Sequence, residues 1–368
     1  MLDIKRLSFR DFRNYPTLEL TDLAHLVIVV GDNALGKTNI IEGVQLVSMM
    51  DSFRKPSWGD VVRKGADSAR VVIEYRLNGC DNSIVLDVCD NARAYQHNEK
   101  PKSRRDLLGL LPAVLFTPDD LQIVQGPAER RRACVDDLGC QISRTYVDIL
   151  HDYTRVVKQK NSLLREEYVD PYILDSWNRN LIKLGSSLMT HRTALFGRLM
   201  EKTTAAYHRI APHEQLTATY VPSWKSLCDD DEGDNDNDSA GLADKVEQFR
   251  NQELKQRRTL VGPHRDEISF FLDGSDARRF GSQGQQRSIA LATKIAEVEV
   301  LRDVTGADPI LLLDDVMSEI DASRRSMLLD LIDATTQTLI TTTNLGYFDE
   351  QTLLHAQVIR LPLEENDV

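Results

Sequence analysis

Hydrophobic and polar residues alternate over the first twenty positions of the chain, which is the pattern of half-buried β-strands. The apolar members of this pattern are Ile4, Leu7, Phe9, Leu18 and Leu20. The next apolar run, Leu26–Val30, has no polar member and is typical of a strand buried on both faces of a parallel sheet. A turn is predicted over residues 31–38, and from Lys37 the apolar residues recur at helical spacing. The order strand, glycine loop and helix is therefore expected near the start of the chain.

The middle of the chain shows helical periodicity instead. Apolar or aromatic residues recur every three or four positions, with one step skipped, at Ile142, Tyr146, Ile149, Tyr153, Val156 and Leu163. A second stripe consists of Trp177, Leu181, Leu184, Leu188, Leu195 and Leu199. Asp170-Pro171 lies between them, and a proline there stops the first helix. The pattern predicts an antiparallel helical hairpin that packs as a subdomain.

Strands and helices alternate again in the last third of the chain. Besides earlier strands near 71–77, 83–88 and 113–116, the pattern predicts strands at 268–272, 310–313, 338–342 and 357–361, and helices at 241–256, 285–302 and 322–332. We therefore predict an α/β fold with a mixed sheet and helices, built from both chain ends. Residues 1–140 and 258–368 would form this first lobe, and residues 141–257 a helical insertion as the second lobe.

Charge is unevenly distributed along the chain. The formal net charge is −12, but residues 229–238 hold seven acids and no base, and without them it would be −5. Such dense like charge favours a solvated, disordered surface insertion over a cation site. Because binding to DNA depends on local patches, the net charge does not exclude it.

Neither a membrane span nor an export signal is evident. No apolar run reaches the roughly 18 residues that a spanning helix needs, and the first residues lack an apolar signal region. The five cysteines, Cys80, Cys89, Cys134, Cys140 and Cys228, show no C-x-x-C spacing and their odd number argues against a disulfide framework. A cytoplasmic location without a membrane partner is expected.

Residues 31–38 match the phosphate-binding loop G-x-x-x-x-G-K-[ST] in full. The residues that would hold ATP here are Gly31, Asp32, Asn33, Ala34, Leu35, Gly36, Lys37, Thr38 and Asn39. Glycines let backbone N–H groups turn toward phosphate oxygens, and Lys37 adds a positive charge. Thr38 would offer a hydroxyl ligand to Mg²⁺. The predicted strand before the motif and helix after it are the context this chemistry requires.

A buried strand near residue 310 ends in two acids that complete such a site. Asp314 would hold Mg²⁺ directly or through water, and Asp315 would polarise the attacking water. Taken alone, a strand that ends in a solvated acidic turn would be the better interpretation. Because a complete phosphate loop occurs elsewhere in the chain, the Mg²⁺ site becomes the better interpretation.

Lys37 and Asp314 are 277 residues apart, unlike the corresponding pair in compact switch-type GTPases. Ser282, Gln283, Gly284 and Gln285 open a predicted helix 30 residues before Asp314 and resemble the signature loop of ATP-binding-cassette ATPases. A serine and a glycine at a helix N-terminus can bind an anion, so two copies would sandwich two ATP molecules. A plain Ser-capped helix explains this loop equally well. Residues 318–321 fit the D-loop that crosses such an interface.

Seven stretches together resemble the RecF family of bacterial recombination-repair ATPases over nearly the whole chain. They are F-R-N-Y at 12–15, G-D-N-A-L-G-K-T-N at 31–39, F-T-P-D-D-L-Q-I-V-Q-G at 116–126, E-R-R-R at 129–132, G-P-H-R-D at 262–266, S-Q-G-Q-Q-R at 282–287 and D-D-V-M-S-E-I-D at 314–321. The chain differs from the family pattern in two respects. The acidic segment looks lineage-specific, and either Gln122 or Gln125 is the glutamine of the Q-loop.

The resemblance implies an ABC-type ATPase head like those of the structural-maintenance-of-chromosomes proteins, without their long coiled coils. It further implies an ATP-dependent homodimer on double-stranded DNA near single-strand gaps and a slow, DNA-stimulated hydrolysis that ends the dimer. It also implies that the chain helps RecO and RecR to load RecA. This role would belong to DNA replication, DNA-damage repair and the SOS response. Asp315, where many relatives carry glutamate, offers a hypothesis for slow hydrolysis.

Basic clusters supply the candidate DNA contacts. Besides Arg63 and Lys64, they are Lys100, Lys102, Arg104 and Arg105, and Arg130, Arg131 and Arg132. With no base-reading helix or aromatic stacking motif, contact would be to the phosphate backbone. A solvated face is the more common explanation of each single cluster.

Two other functions stay open on the sequence. The chain could be the ATPase subunit of a transporter or of another assembly related to the structural-maintenance-of-chromosomes proteins. The Thr343-Asn344 pair argues against a transporter because a switch histidine is expected there. A nucleotide-dependent scaffold without useful turnover is the third hypothesis. At 262–266, a packed turn is favoured over chemistry because Gly-Pro commonly marks a loop.

Overall fold

The structure is a computed structural model that describes residues 2–90, 92–224, 238–330 and 336–362. The chain divides into two compact units, one of residues 1–122 with 287–368 and the other of residues 123–286. We call them the terminal unit and the middle unit. Their boundaries fall at 122/123 and 286/287, whereas the sequence placed them at 140/141 and 257/258. The difference arises because the segments flanking the predicted insertion pack inside the middle unit.

The first part of the terminal unit contains most of its strands. In chain order its elements are β1 (Leu2–Phe12), β2 (Tyr15–Thr21), β3 (Leu26–Val30), α1 (Lys37–Ser48), β4 (Ser68–Leu77), β5 (Cys80–Cys89), β6 (Ala92–His97), β7 (Lys100–Lys102), α2 (Arg104–Leu107) and β8 (Ala113–Phe116). Six of them form an antiparallel sheet in the order β2-β1-β4-β5-β6-β7. A register shift between Ile4 and Arg6 puts both Ile4 and Leu7 on the buried face, three positions apart.

The middle unit is mainly helical. Its elements are α3 (Ala128–Ile142), α4 (Arg144–Leu163), α5 (Pro171–Ile210), β9 (Leu216–Val221), α6 (Asp238–Gln256), β10 (Glu267–Leu272), β11 (Ser275–Asp276) and α7 (Ala277–Phe280). The predicted hairpin is confirmed as α4 and α5, which pack together. Asp170 caps α5 by accepting from the N–H groups of Tyr172 and Ile173, and Pro171 is its first residue. Residues 229–237 of the acidic segment lie outside the described residues.

The last part of the chain supplies a second sheet to the terminal unit. After α8 (Gln283–Thr305) come β12 (Ile310–Asp314), α9 (Ala322–Asp330), β13 (Thr338–Thr342), α10 (Glu350–His355) and β14 (Gln357–Arg360). These strands join β3 and β8 in a parallel sheet with the order β14-β3-β13-β12-β8. The mixed α/β architecture expected from the sequence is confirmed, with β3 between two strands from the far end of the chain.

A buried glutamine in the terminal unit forms hydrogen bonds with backbone groups near the start of the chain. Gln337 is 1% exposed, and its Oε1 accepts from the N–H of Ile4 at 2.6 Å. Its Nε2 donates to the carbonyl oxygens of Ile4 and Ala24 at 3.0 and 3.1 Å. Every polar group of this side chain is thus satisfied by backbone 333 or 313 residues away in sequence. Within the described ranges no helix is long and apolar enough to cross a membrane.

Candidate nucleotide-binding site

The phosphate-binding loop joins a fully buried strand to a helix. All five residues of β3 are buried, and α1 begins at Lys37 directly after Gly36. Gly36 has φ of 103°, and a Cβ built there would lie 2.5 Å from the side-chain nitrogen of Asn14. A Cβ at Gly31 would lie 3.0 Å from both Cβ and O of Leu361. Both glycines are therefore required by the shape of the loop, which leaves its backbone N–H groups free of side-chain bulk.

The ammonium group of Lys37 folds back over this loop. Lys37 is 6% exposed, and its Nζ donates to the carbonyl oxygens of Gly31 at 2.7 Å and Asp32 at 2.8 Å. The carbonyls hold a positive charge at the loop, at the position where phosphate oxygens would be neutralised. Thr38 and Asn39 are partly exposed at the start of α1, and residues 32–34 are exposed.

The F-R-N-Y stretch supports the loop from behind, a role that the sequence motif did not reveal. The amide nitrogen of Asn14 donates to the carbonyl of Leu35 at 3.1 Å, and its oxygen accepts from the side chain of Asn39 at 2.7 Å. The hydroxyl of the buried Tyr15 would be 2.9 Å from a Cβ at Gly36. Asn14 and Tyr15 thus fix the loop conformation by filling the space next to its second glycine.

A buried carboxylate on α1 extends this support. Glu42 is fully buried, and Arg13 donates to its two oxygens at 2.9 and 2.5 Å. Arg54 reaches one of these oxygens at 3.2 Å and also donates to Asn39 at 2.7 Å. The hydroxyl of Ser52 donates to Glu42 at 2.5 Å. A buried charge is stable only when paired in this way. The one sequence signal for it is an acid inside the apolar helical run of α1.

The two predicted acids lie at the carboxyl end of β12, at the same edge of the parallel sheet as the phosphate loop. Asp314 pairs in register with Thr341 of β13, and β13 in turn pairs with β3. Asp314 is 6% exposed, and one of its carboxylate oxygens accepts from the Thr341 hydroxyl at 2.7 Å. That bond aims the carboxylate and leaves its other oxygen for a ligand.

Asp315 occupies a strained backbone position next to Asp314. Its φ is 53°, in the left-handed region, and its N–H donates to the carbonyl of Thr341 at 3.1 Å. One carboxylate oxygen is buried and accepts no hydrogen bond within the described part of the chain. Burial raises the pKa of this carboxyl, as do the charges of Asp314 and Glu319, while the Lys37 ammonium opposes the rise. A carboxyl with a raised pKa and an unused acceptor is suited to accept a proton from water.

The oxygen groups at this edge fit a magnesium ion. Thr38 and Asp314 offer a hydroxyl and a carboxylate, which are hard ligands of the kind that Mg²⁺ prefers. The residues that the structure describes contain no group of three acids, histidines or cysteines that could bind a metal.

The signature-like loop lies in the middle unit, except for the helix that continues from it. Ser282 is exposed; its hydroxyl accepts from the N–H of Gln285 at 3.2 Å, and the side chain of Gln285 accepts from the N–H of Ser282 at 2.8 Å. This reciprocal pair is a capping box at the start of α8. Gln283 is exposed and Gly284 partly so. The loop is therefore a Ser-capped helix start with an exposed hydroxyl, which leaves both sequence interpretations open.

The candidate DNA contacts fall into two structural classes. Lys100, Lys102 and Arg104 are exposed at and just after β7, the edge strand of the antiparallel sheet, and Arg105 is partly exposed. Arg131 is 3% exposed instead, and it donates to the carboxylate of Glu267 at 2.7 Å. Its Nη1 donates to three carbonyls, those of residues 123, 124 and 126.

Consecutive arginines on α3 therefore have different roles. Arg130 is exposed, whereas Arg132 is partly buried and donates to the carbonyl of Asp266 at 2.5 Å. Successive helical residues point about 100° apart, so three adjacent bases do not share a face. Arg131 holds the middle unit together, and its guanidinium is not available to a phosphate. This corrects its inclusion among the expected DNA contacts.

The turn at 262–266 is packed into a buried polar network of the middle unit. His264 Nδ1 lies 2.7 Å from the hydroxyl of Tyr153, and burial lowers the pKa of His264 to about 3. The fully buried Asp266 accepts from the Tyr220 hydroxyl and, at 2.8 Å, from the N–H of Ser223. A Cβ at Gly262 would lie 2.5 Å from the Tyr153 hydroxyl. The interpretation as a packed turn agrees with these contacts.

A second buried pair lies beside this turn. Arg192 is 2% exposed and donates from two nitrogens to the two carboxylate oxygens of Asp136, at 2.9 Å each. The same guanidinium donates to the carbonyl of Pro263 at 2.7 Å. The long helix α5 is thereby joined to α3 and to the Gly-Pro turn.

Comparisons with known proteins point to one family. The family model described as RecF/RecN/SMC N terminal domain matches residues 3–365. The chain is 36% identical to the DNA replication and repair protein RecF of Picosynechococcus sp., over 97% of this chain and 94% of the relative. It is 35% identical to the protein of the same name from Cyanothece sp., over 97% of this chain and 96% of the relative.

Solved structures give the same result. A structure of the recombination mediator protein RecF-ATP in the RecFOR pathway matches with a TM-score of 0.87 and 28% identity, covering 95% of this chain and 94% of that one. The SmcHead bound to the C-winged helix domain of ScpA matches with a TM-score of 0.56 at 14% identity, covering 98% of this chain and 94% of that one, and supports the fold alone. With an ABC-type ATPase head, a complete phosphate loop and these relatives, the chain belongs to the RecF family of DNA replication and repair proteins.

Proposed function

We propose that this chain is a slow ATPase of DNA recombination and repair whose ATP-bound dimer binds double-stranded DNA near single-strand gaps. The observation that carries the proposal is the arrangement at one edge of the parallel sheet. There the buried Lys37 ammonium follows β3, and the Asp314 and Asp315 carboxylates lie at the end of β12, with β13 between the two strands. Within the described residues, one carboxylate oxygen of Asp315 accepts no hydrogen bond. Such a set suits a triphosphate and an attacking water.

Each of these residues would have a separate role in ATP hydrolysis. The backbone of residues 31–38 and the Lys37 ammonium would hold the phosphates and stabilise the negative charge that develops on the transferred group. Thr38 and Asp314 would bind Mg²⁺, which neutralises phosphate charge when present. Asp315 would accept a proton from the attacking water. Its short side chain and left-handed backbone support slow turnover, because the carboxylate has little freedom to follow the water.

A test of that step uses Asp315→Glu, which lengthens the side chain by one methylene. If the carboxylate position limits the rate, single-turnover hydrolysis by the ATP-bound dimer should change. An unchanged rate would remove Asp315 as the cause of slow turnover. Burst and steady-state phosphate release in the unmodified chain separate a slow ATPase from a scaffold that binds ATP without turnover.

The exposed Ser282 hydroxyl and the positive end of α8 suit the second half of an ATP sandwich. We propose that these residues, with Gln283, Gly284 and Gln285, contact the triphosphate held by the Lys37 loop of a second copy. DNA affinity would then depend on ATP because pairing aligns two copies of the basic edge.

Mixing two variants tests the sandwich. Lys37→Arg damages one half of each composite site and Ser282→Arg the other half, and each protein alone should fail to dimerise with ATP or to hold a duplex. A mixture of the two should recover at most one composite site per dimer. Sedimentation with and without ATP, with a gapped duplex present, measures both properties. Normal pairing of either variant alone would overturn the proposal.

The exposed basic edge of β7 is the proposed DNA surface. Reversing Lys102, Arg104 and Arg105 to glutamate should make DNA binding less dependent on salt. Each lost phosphate contact should lower the slope of log binding constant against log salt concentration by about 0.9. Arg76→Glu is the matched control, since Arg76 is exposed on β4 and pairs with Asp81. An unaltered slope in the triple variant would remove this edge from the interface.

The RecFOR pathway of the matched structure supplies the proposed partners. We propose that RecO and RecR act with this chain to load RecA onto gapped DNA, in the cytoplasm and without a membrane partner. Reconstitution on gapped DNA covered with single-strand-binding protein tests this. RecA loading that does not respond to this chain would overturn it. A role as a transport ATPase would require binding to a membrane protein, and the repair names of the relatives disfavour it.

A further inference from the structure

The segment after β12 presents a short exposed loop between buried anchors. Val316, Met317 and Ile320 are buried, whereas Ser318, Glu319 and Asp321 are exposed. The buried residues hold the segment against the terminal unit, and the exposed ones face outward. We call residues 318–321 the D-loop, after the motif they resemble.

One arginine hydrogen-bonds to two backbone carbonyls of this segment. Nε of Arg325, on α9, donates to the carbonyl of Met317 at 3.2 Å. Its Nη2 donates to the carbonyl of Ile320 at 3.0 Å. These carbonyls flank Ser318 and Glu319, so a rigid planar guanidinium sets the distance across the exposed part of the loop.

The same guanidinium is covered by an aromatic ring from a different segment. The carbon of the Arg325 guanidinium lies 4.4 Å from the ring centroid of Tyr347, a cation–π contact. Tyr347 ends a short helical turn, Leu345–Tyr347, that follows β13. Because β12 and β13 are parallel neighbours, Arg325 connects the segments that leave both strands at the nucleotide edge.

We propose that Arg325 is a positioning residue that shapes the D-loop for contact with a second copy and thereby sets hydrolysis rather than ATP affinity. The inference rests on the proposed function, in which a second copy completes each site. Arg325 contacts backbone and an aromatic ring, not the phosphate loop, so its loss leaves the Lys37 cradle intact. A misplaced D-loop would weaken pairing and would loosen the segment that begins at Asp315.

Two substitutions in the full chain test the proposal. Arg325→Lys keeps the charge but lacks the planar fork, and we expect about a tenfold lower single-turnover rate and weaker ATP-dependent pairing. Binding of a fluorescent ATP analogue to the monomer should stay within about twofold. Arg10→Lys, at an exposed position on β1 of the antiparallel sheet, is the control and should match the unmodified chain.

A second pair of variants keeps the test valid if Arg325→Lys lowers the melting temperature. Tyr347→Phe retains the ring and should behave as the unmodified chain, whereas Tyr347→Leu removes the cation–π contact and should lower the rate about threefold. A merely structural role would change melting and ATP affinity together with the rate in these variants.

The outcomes separate this inference from the proposed function. If the unmodified chain pairs and hydrolyses ATP, and Arg325→Lys and Tyr347→Leu do so equally well, the role of Arg325 is refuted while the proposed function stands. A parallel loss of ATP affinity and rate would also refute it. If the unmodified chain itself neither pairs nor hydrolyses ATP, the proposed function fails, and this inference fails with it.

Discussion

Both units of the chain carry family motifs, but the phosphate loop and the acidic end of β12 in the terminal unit use their polar groups differently from E-R-R-R and G-P-H-R-D in the middle unit. In the terminal unit, Asp315 keeps a buried oxygen without a partner in the described residues, and Gly31 and Gly36 keep side chains away from the phosphate loop. In the middle unit, Arg131 and Asp266 direct their polar groups to backbone and side chains of the same unit.

The difference shows what distinguishes a site from a scaffold. A motif residue that retains hydrogen-bonding capacity near the surface can bind a ligand, whereas one whose capacity is used internally stabilises the fold. Sequence motifs do not separate these cases, because E-R-R-R and G-P-H-R-D are as distinctive as the phosphate loop. Four substitutions test this contrast, and the largest change in free energy is expected at Arg131.

Removing the Arg131 side chain should cost the most. Arg131→Met breaks the ion pair of Glu267, which keeps the N–H of Ile268, and removes a donor from three carbonyls, so we expect the free energy of unfolding to fall by about 3 kcal/mol. Arg130→Met, on the exposed neighbour, should change it by less than about 0.5 kcal/mol. Denaturant unfolding measures both. Equal effects at the two positions would contradict the assignment of Arg131 to the scaffold.

Lys37→Ala should affect binding instead of folding. Loss of the ammonium at the phosphate loop should weaken ATP about a hundredfold, which equals about 2.7 kcal/mol. Lys64→Ala, an exposed lysine of the same unit, is the control and should leave ATP affinity unchanged. Titration calorimetry with ATP gives both values. If the two variants bound ATP alike, the phosphate loop would not be the nucleotide site.

His264 should make stability depend on pH. Its folded pKa of about 3 lies below the ordinary value near 6.5, so the unfolded chain binds the extra proton between these limits. The contribution of neutral His264 to the free energy of unfolding is complete above pH 6.5. It is lost as pH falls, by up to about 2 kcal/mol between pH 6.5 and pH 5.

His264→Asn removes this titrating group and should flatten the decline in stability over that pH range. The exposed His191→Asn serves as the control and should leave the decline unchanged. Urea unfolding at several pH values provides the measurement. The same slope in all three proteins would mean that His264 does not remain neutral in the folded state.

The smallest expected effect is a gain in stability at the site itself. Because the folded pKa of Asp315 is raised, its ionisation disfavours the folded state once pH exceeds the ordinary aspartate value. Asp315→Asn should therefore raise the melting temperature by about 1–2 °C at pH 7, and the gain should vanish near pH 3. A loss of stability at pH 7 would show that the carboxylate belongs to the scaffold.

The sequence predicted well what depends on local pattern. Strand β3, the loop at 31–38 and α1 follow from an apolar run, two glycines and a helical repeat, and the hairpin follows from its stripes and Pro171. Helix α3 was missed because its sequence is rich in charge, and the inward direction of Arg131 depends on a partner 136 residues away. The Glu42 network was missed for the same reason, since Arg13 and Arg54 approach it from separate segments.

The position of β3 in its sheet has a consequence for how the protein is made. Both neighbours of β3, namely β13 and β14, come from a distant part of the sequence, residues 338–342 and 357–360. A nascent chain therefore carries its phosphate loop early but has no sheet in which to hold it until translation has passed residue 360. Chains that stop before residue 360 would therefore lack the strand pairing that supports the phosphate loop.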